Sequence, residues 1–131
     1  MIRRPDIPDE DGTAIAEFVM VGAFVLIPLF LALLQLALVL YSRNIVVASA
    51  AVGARRGASA DSTAAVGGRA ACDSIKAALP RAEGLTCTGS TVAGPVELVE
   101  VRVSGPIPMF FLPWGRVSLD VSGHAVKEVA P

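Results

Sequence analysis

Three hydrophobic rhythms follow one another along the chain. From Phe18 to Tyr41 the side chains are apolar and uncharged, interrupted by Gly22, Pro28 and Gln35. At about 1.5 Å per residue this run covers roughly 36 Å, enough to cross a hydrocarbon core of about 30 Å with some tilt. A soluble protein can also bury a helix that is apolar all round, but only inside a large body. The remaining residues cannot build one, so the run predicts a membrane span. Beyond Tyr41 the same helix is predicted to continue to about Ala58 through a stretch rich in small residues, Asn44 to Gly57.

A second helix is predicted from Ser62 to Leu79, with Pro80 ending it. Ala65, Val66, Ala70, Ile75 and Leu79 form its expected inner stripe, although Gly67-Gly68 weakens it. The period then changes to two. Val99, Val101 and Val103 alternate with Glu100 and Arg102, and Val117, Leu119 and Val121 alternate with Ser118, Asp120 and Ser122. These are two half-buried strands. Leu85 to Val92 carries a fainter strand pattern, and Gly94-Pro95 marks a turn after it. The order predicts an α+β fold, a small antiparallel sheet packed on a helix behind a long N-terminal transmembrane helix.

Residues 1–12 are polar, contain Pro5 and Pro8, and show no helical period. Arg3 and Arg4 are outnumbered by Asp6, Asp9, Glu10 and Asp11. A secretory signal has a basic flank and a shorter apolar stretch. Ala48-Ser49-Ala50 matches a signal-peptidase pattern, but alanine is common throughout. The absence of a cysteine just after the apolar run argues against a lipoprotein.

Charge does not orient the helix. Arg3 and Arg4 lie on one side, Arg43, Arg55 and Arg56 on the other. The two cysteines, Cys72 and Cys87, both lie beyond the helix. An even count on one side suggests a disulfide in an oxidising compartment, with two buried free thiols as the alternative. That places the C-terminal part outside the cytoplasm. No Cys-x-x-Cys and no second pair supports a zinc site. A net charge of −1 without a basic block excludes a nucleic-acid surface.

Glu17 is the sharpest candidate for chemistry. It stands five residues past Gly12, at the edge of the apolar run. A carboxylate beside hydrocarbon is costly unless neutralised. If the chain is cut after Gly12, the new amine of Thr13 offers a positive charge on a neighbouring copy. The alternative is a carboxylate that only marks the water interface. His124 is the only histidine. Alternation puts it on one polar strand face with Asp120 and Ser122, which is not a converging catalytic or metal arrangement. No enzymatic activity, cofactor, metal or small-molecule substrate is expected.

Four further features carry two readings each. Pro28 removes the helix bond to the Phe24 carbonyl, as a tolerated kink or as a flexible point. Gln35, seven residues on, either bonds another helix or is simply tolerated. Ser49, Gly53 and Gly57, with Ala50, Ala54 and Ala58, repeat every four residues. That face can meet another helix closely or pack on the chain's own sheet. Pro106 to Trp114 is far more apolar than a solvated turn. It is either a flap over the sheet or a docking patch for a partner subunit or the membrane surface.

The glycine before Thr13, the Ala16-Glu17-Phe18 triplet, the long apolar helix, Tyr41-Ser42-Arg43-Asn44 and the run into Gly53-Ala54-Arg55 together resemble the TadE-like family. These are pseudopilins of bacterial tight-adherence (Flp-type) pilus systems. Val121-Ser122-Gly123-His124-Ala125 resembles the end of such proteins. The resemblance is close from Asp11 to Ala58 and loose beyond. It implies a cytoplasmic prepilin leader (1–12), a long helix (13–58, membrane span about 18–41) and an extracytoplasmic α+β pilin-like domain (59–131). It implies cleavage between Gly12 and Thr13 by a membrane-embedded prepilin peptidase, an aspartic protease. Glycine there leaves the backbone open to close approach. Glu17, beside Phe18, would then pair with the Thr13 amine of an adjacent subunit. The implied partners are other pilins or pseudopilins and the pilus assembly platform, in the cytoplasmic membrane or the pilus. The competing expectation is an extracytoplasmic binding or envelope domain on an uncleaved signal anchor. A secreted enzyme released by signal peptidase lacks a catalytic constellation.

Overall fold

The computed structural model describes residues 10–108 and 115–129, with the backbone alone at Glu10, Asp11 and Pro108. Helix α1 runs Glu10–Ala58 and contains Pro28. It therefore takes in Glu10, Asp11 and Gly12, which had been expected in a non-helical leader. No proline follows Pro8 there, and acidic residues suit the positive end of a helix. The rest of the leader lies outside the described residues. The chain divides into two compact units, up to Leu34 and from Gln35 onward. In the first unit the helix from Gly12 to Leu34 is exposed, apart from half-buried Gly22.

The second unit holds the folded domain. Helix α2 spans Ala64–Ala78, with the Thr63 hydroxyl accepting the Val66 amide at 3.4 Å as an N-cap. Strands β1 (Thr86–Val92), β2 (Leu98–Pro108) and β3 (Arg116–Val126) form one antiparallel sheet in that order. Register pairs Cys87 with Val103 and Val101 with Gly123. Val99, Val101, Val103 and Ile107 of β2 are buried, with Leu119, Val121 and Ala125 of β3 packed against them.

The central strand β2 and the edge strand β3 are both longer than the alternation suggested. Pro106, Ile107 and Pro108, expected in an apolar loop, complete β2 opposite Ser118, Val117 and Arg116. Proline donates no ladder bond and is confined to unpaired strand sides. Here β1 pairing reaches only to Ser104, so both prolines lie past the end of that ladder. Residues 109–114 of the same apolar segment lie outside the described residues.

The small-residue face of α1 packs inside its own domain. Val46, Ser49, Ala50, Gly53, Ala54, Gly57 and Ala58 are all buried. A Cβ on Gly67 would sit 2.5 Å from the Gly53 carbonyl oxygen and 3.0 Å from the Gly57 Cα. On the sheet side, a Cβ on Gly123 would meet the Ala50 carbonyl carbon at 2.6 Å. Backbone therefore meets backbone on two flanks of α1. The Ser49 hydroxyl also donates to Ser74 of α2 at 3.2 Å.

This contact corrects the expected stripe of α2. The buried residues are Gly67, Gly68, Ala71 and Ile75, with Ala64 and Leu79 partly covered. Ala65 is exposed and Val66 and Ala70 are half-buried. The glycines face inward because Gly67 lets α2 approach α1 this closely, and Gly68 lets it approach β1, where a Cβ would lie 2.8 Å from the Gly89 nitrogen.

Two restraints close the domain. Cys72 and Cys87 are joined in a disulfide across a separation of 15 residues, tying α2 to β1. A loop of that size contributes about 3 kcal/mol by chain entropy. After β3, the Lys127 ammonium donates to the carbonyls of Gly57 (3.4 Å), Ser59 (2.9 Å) and Ser62 (2.6 Å). The Glu128 amide donates to Ala58 at 2.8 Å. The last carbonyls of α1 thus find partners, and a cation sits at the negative end of the helix.

Gly67→Val is expected to cost about 1–3 kcal/mol or more through overpacking, measured by denaturant titration of the detergent-solubilised chain. Gly22→Ala is the control with no loss, since a Cβ there meets nothing within 4 Å. Lys127→Met is expected to cost about 1.5–3 kcal/mol in the same measurement, the worth of hydrogen bonds from a charged donor.

Candidate functional site

The residues singled out at the N-terminal end fall on the first turns of α1. Gly12, Thr13, Glu17 and Phe18 all lie within Glu10–Ala58 and are exposed. Thr13 and Glu17 are four apart, so they share one face of the helix. Around Gly12 a Cβ would find nothing within 4 Å, so its backbone is open. Phe18 is 79% exposed, and Ile15, Val19, Met20 and Phe24 are exposed beside it. No ion pair to Glu17 exists among the described residues.

Apolar exposure on this scale has a physical meaning. Leu26, Leu29, Phe30, Leu33, Leu36 and Leu40 each leave about half or more of their surface uncovered. Water would penalise that surface, whereas hydrocarbon would not. Among the described residues α1 is the one helix long and apolar enough to cross a membrane, and it fits a single-pass anchor. Glu17 at its head then borders hydrocarbon, where an unpaired carboxylate is disfavoured.

The structure places the other candidates elsewhere. Cys72 and Cys87 lie in the second unit, within the disulfide. Asp120, Ser122 and His124 line the exposed face of β3, an edge strand. His124 Nε2 lies 3.8 Å from Glu100 Oε2, and Arg102 Nε lies 3.8 Å from Glu100 and 3.7 Å from Asp120. Such exposed pairs are worth about 0–1 kcal/mol each and form a surface mesh rather than a reaction centre. The sequence reading missed Glu100 as the neighbour of His124; the antiparallel register that places them opposite each other was the available signal. Among the described residues no group of His, Cys, Asp or Glu could hold a metal ion.

Residues 12–55 match the family of TadE-like proteins. The match begins at Gly12, takes in the whole apolar run, and covers about a third of the chain. With the apolar helix, it fits a protein associated with the tight-adherence pilus. No curated protein and no solved structure matches the chain.

Leu29→Arg places a charge near the middle of the apolar run. It is expected to cost roughly 2.5–3.5 kcal/mol of insertion and to reduce the carbonate-resistant membrane fraction of the chain.

Proposed function

From the match of residues 12–55 to the TadE-like family we propose that the chain is a pseudopilin, a minor or assembly subunit of a tight-adherence pilus or related secretion apparatus. A prepilin peptidase hydrolyses the Gly12–Thr13 amide on the cytoplasmic side. Water adds across the bond, leaving a carboxylate on Gly12 and an amine on Thr13. An α-amine has a pKa of about 7.7–8.0, so most of it is protonated at neutral pH. The ammonium of one subunit then meets Glu17 of the next. At about 4 Å such a pair attracts by about 4 kcal/mol at an effective dielectric of 20, before desolvation is subtracted.

The observation that carries this reading is Glu17 itself, exposed at the head of an exposed apolar helix and without an ion pair among the described residues. The open backbone at Gly12 supports the cleavage step. The buried Gly53–Gly57 face supports subunit contacts through the apolar stretch upstream, because the domain already occupies that face. The subunit has no enzymatic activity of its own. Its partners are the peptidase, other pilins or pseudopilins and the assembly platform. The C-terminal domain is extracytoplasmic.

One observation favours the competing reading of an uncleaved anchor. Helix α1 runs through the Gly12–Thr13 bond, and a protease needs that bond extended. Glycine lowers this barrier, since it is about 1 kcal/mol less favourable than alanine in a helix and lies in the first turn, where helices fray.

Glu17→Gln and Glu17→Ala are expected to leave cleavage intact and to lower incorporation into the pilus complex tenfold or more, on the order of 1.4 kcal/mol of lost pairing. Co-purification of the tagged subunit with the assembled complex measures this. Normal incorporation of both variants would remove Glu17 from assembly.

A further inference from the structure

Within the second unit one face of α1 becomes covered, from half-buried Leu38 and Val39 to buried Ser42, while the other face stays exposed. Leu36, Leu40 and Tyr41 are 56%, 49% and 61% exposed, whereas Ser42 is 4% exposed. The folded domain therefore covers one face of α1 from Ser42 onward, while Arg43, Asn44 and Val47 stay exposed on the other. At this end Ser42 of α1, Arg81 after α2 and Ile107 of β2 line one hollow. Arg81 also lines the adjoining hollow with Glu83 and Arg116 at the start of β3. Arg43 follows Ser42 on the same helical turn. Arg43 on α1, Arg81 in the turn after α2 and Arg116 on β3 are all exposed; Arg81 and Arg116 share a hollow, Arg43 is next in sequence to Ser42 of the other, and Glu83 is the one acid among the described residues lining either hollow. None of the three forms an ion pair among the described residues.

We propose that Arg43, Arg81 and Arg116 form a belt that seats the domain on the phosphate headgroups of an anionic bilayer. The inference rests on the reading of α1 as a membrane helix. Guanidinium binds phosphate oxygens in a two-pronged geometry and sheds its hydration readily. Tyr41, just inside the belt, is the residue type that favours the headgroup boundary. A lipid surface is preferred over an acidic protein partner because Arg43 follows the exposed Leu36, Leu40 and Tyr41 of the helix read as the membrane span. The proposal also accounts for the lack of a charge bias across the helix: Arg43 is a headgroup ligand as well as a flanking charge.

Hydrogen exchange of the full chain in nanodiscs tests this, comparing phosphatidylcholine alone with phosphatidylcholine plus phosphatidylglycerol. Each arginine near an anionic surface is worth roughly a fivefold change in association. Amides of residues 79–85 are expected to exchange roughly fivefold or more slowly with phosphatidylglycerol, and the slowing is expected to vanish in high salt and in the Arg81→Gln/Arg116→Gln variant. Unchanged exchange at Val99–Val103 shows that the variant is folded; should it unfold, the salt titration of the unaltered chain decides. Equal exchange in both lipids, or slowing indifferent to salt, would overturn the proposal. Slowing that requires more than one copy per disc assigns the belt to a subunit interface and overturns it too. A chain that fails to enter the discs contradicts the membrane reading itself, a separately recognisable result.

Discussion

Backbone contact between α1 and its neighbours is the constraint on which the domain depends. Gly53 and Gly57 meet Gly67 of α2, and Ala50 meets Gly123 of β3, at distances that exclude even one methyl group. Among the described residues the buried core is made of valine, alanine and isoleucine. Close approach, the Cys72–Cys87 disulfide and the Lys127 clasp on the end of α1 add to what this core supplies. Small domains commonly need such staples.

This arrangement separates two roles along one helix. From Val46 to Ala58, α1 is part of the domain core. From Phe18 to Tyr41 most of its large apolar side chains are exposed, with Leu38 and Val39 half-buried, and are available to lipid or to neighbouring helices. The two ends of the apolar stretch carry charge for different reasons. At the N-terminal end the proposed cleavage would supply Glu17 with a cation on another copy. At the domain end the proposed arginine belt would meet a surface rather than a single partner. A family match that covers residues 12–55 spans both roles.

Periodicity made much of this visible. The uncharged run marked the helix, and Val99, Val101 and Val103 marked the buried face of the central strand. The phase of α2 was misread because Gly67 and Gly68 counted as helix breakers; in the fold they are its contact points. Strand β2 ran further than expected because prolines at 106 and 108 are permitted where β1 has ended. Lys127 carried no signal, since a lone lysine after a strand shows no period and its partners lie about 65–70 residues earlier. The face formed by Ser49, Gly53 and Gly57 was ambiguous in sequence and became decidable only when α2 and the sheet were seen to cover it.

The first residue of the mature polypeptide tests the central claim most directly. Intact-mass measurement on the chain recovered from cells with active prepilin peptidase is expected to find Thr13 at the N-terminus, and the unshortened chain when the peptidase's catalytic aspartates are replaced. A chain that keeps residues 1–12 in the presence of the active peptidase would contradict the account.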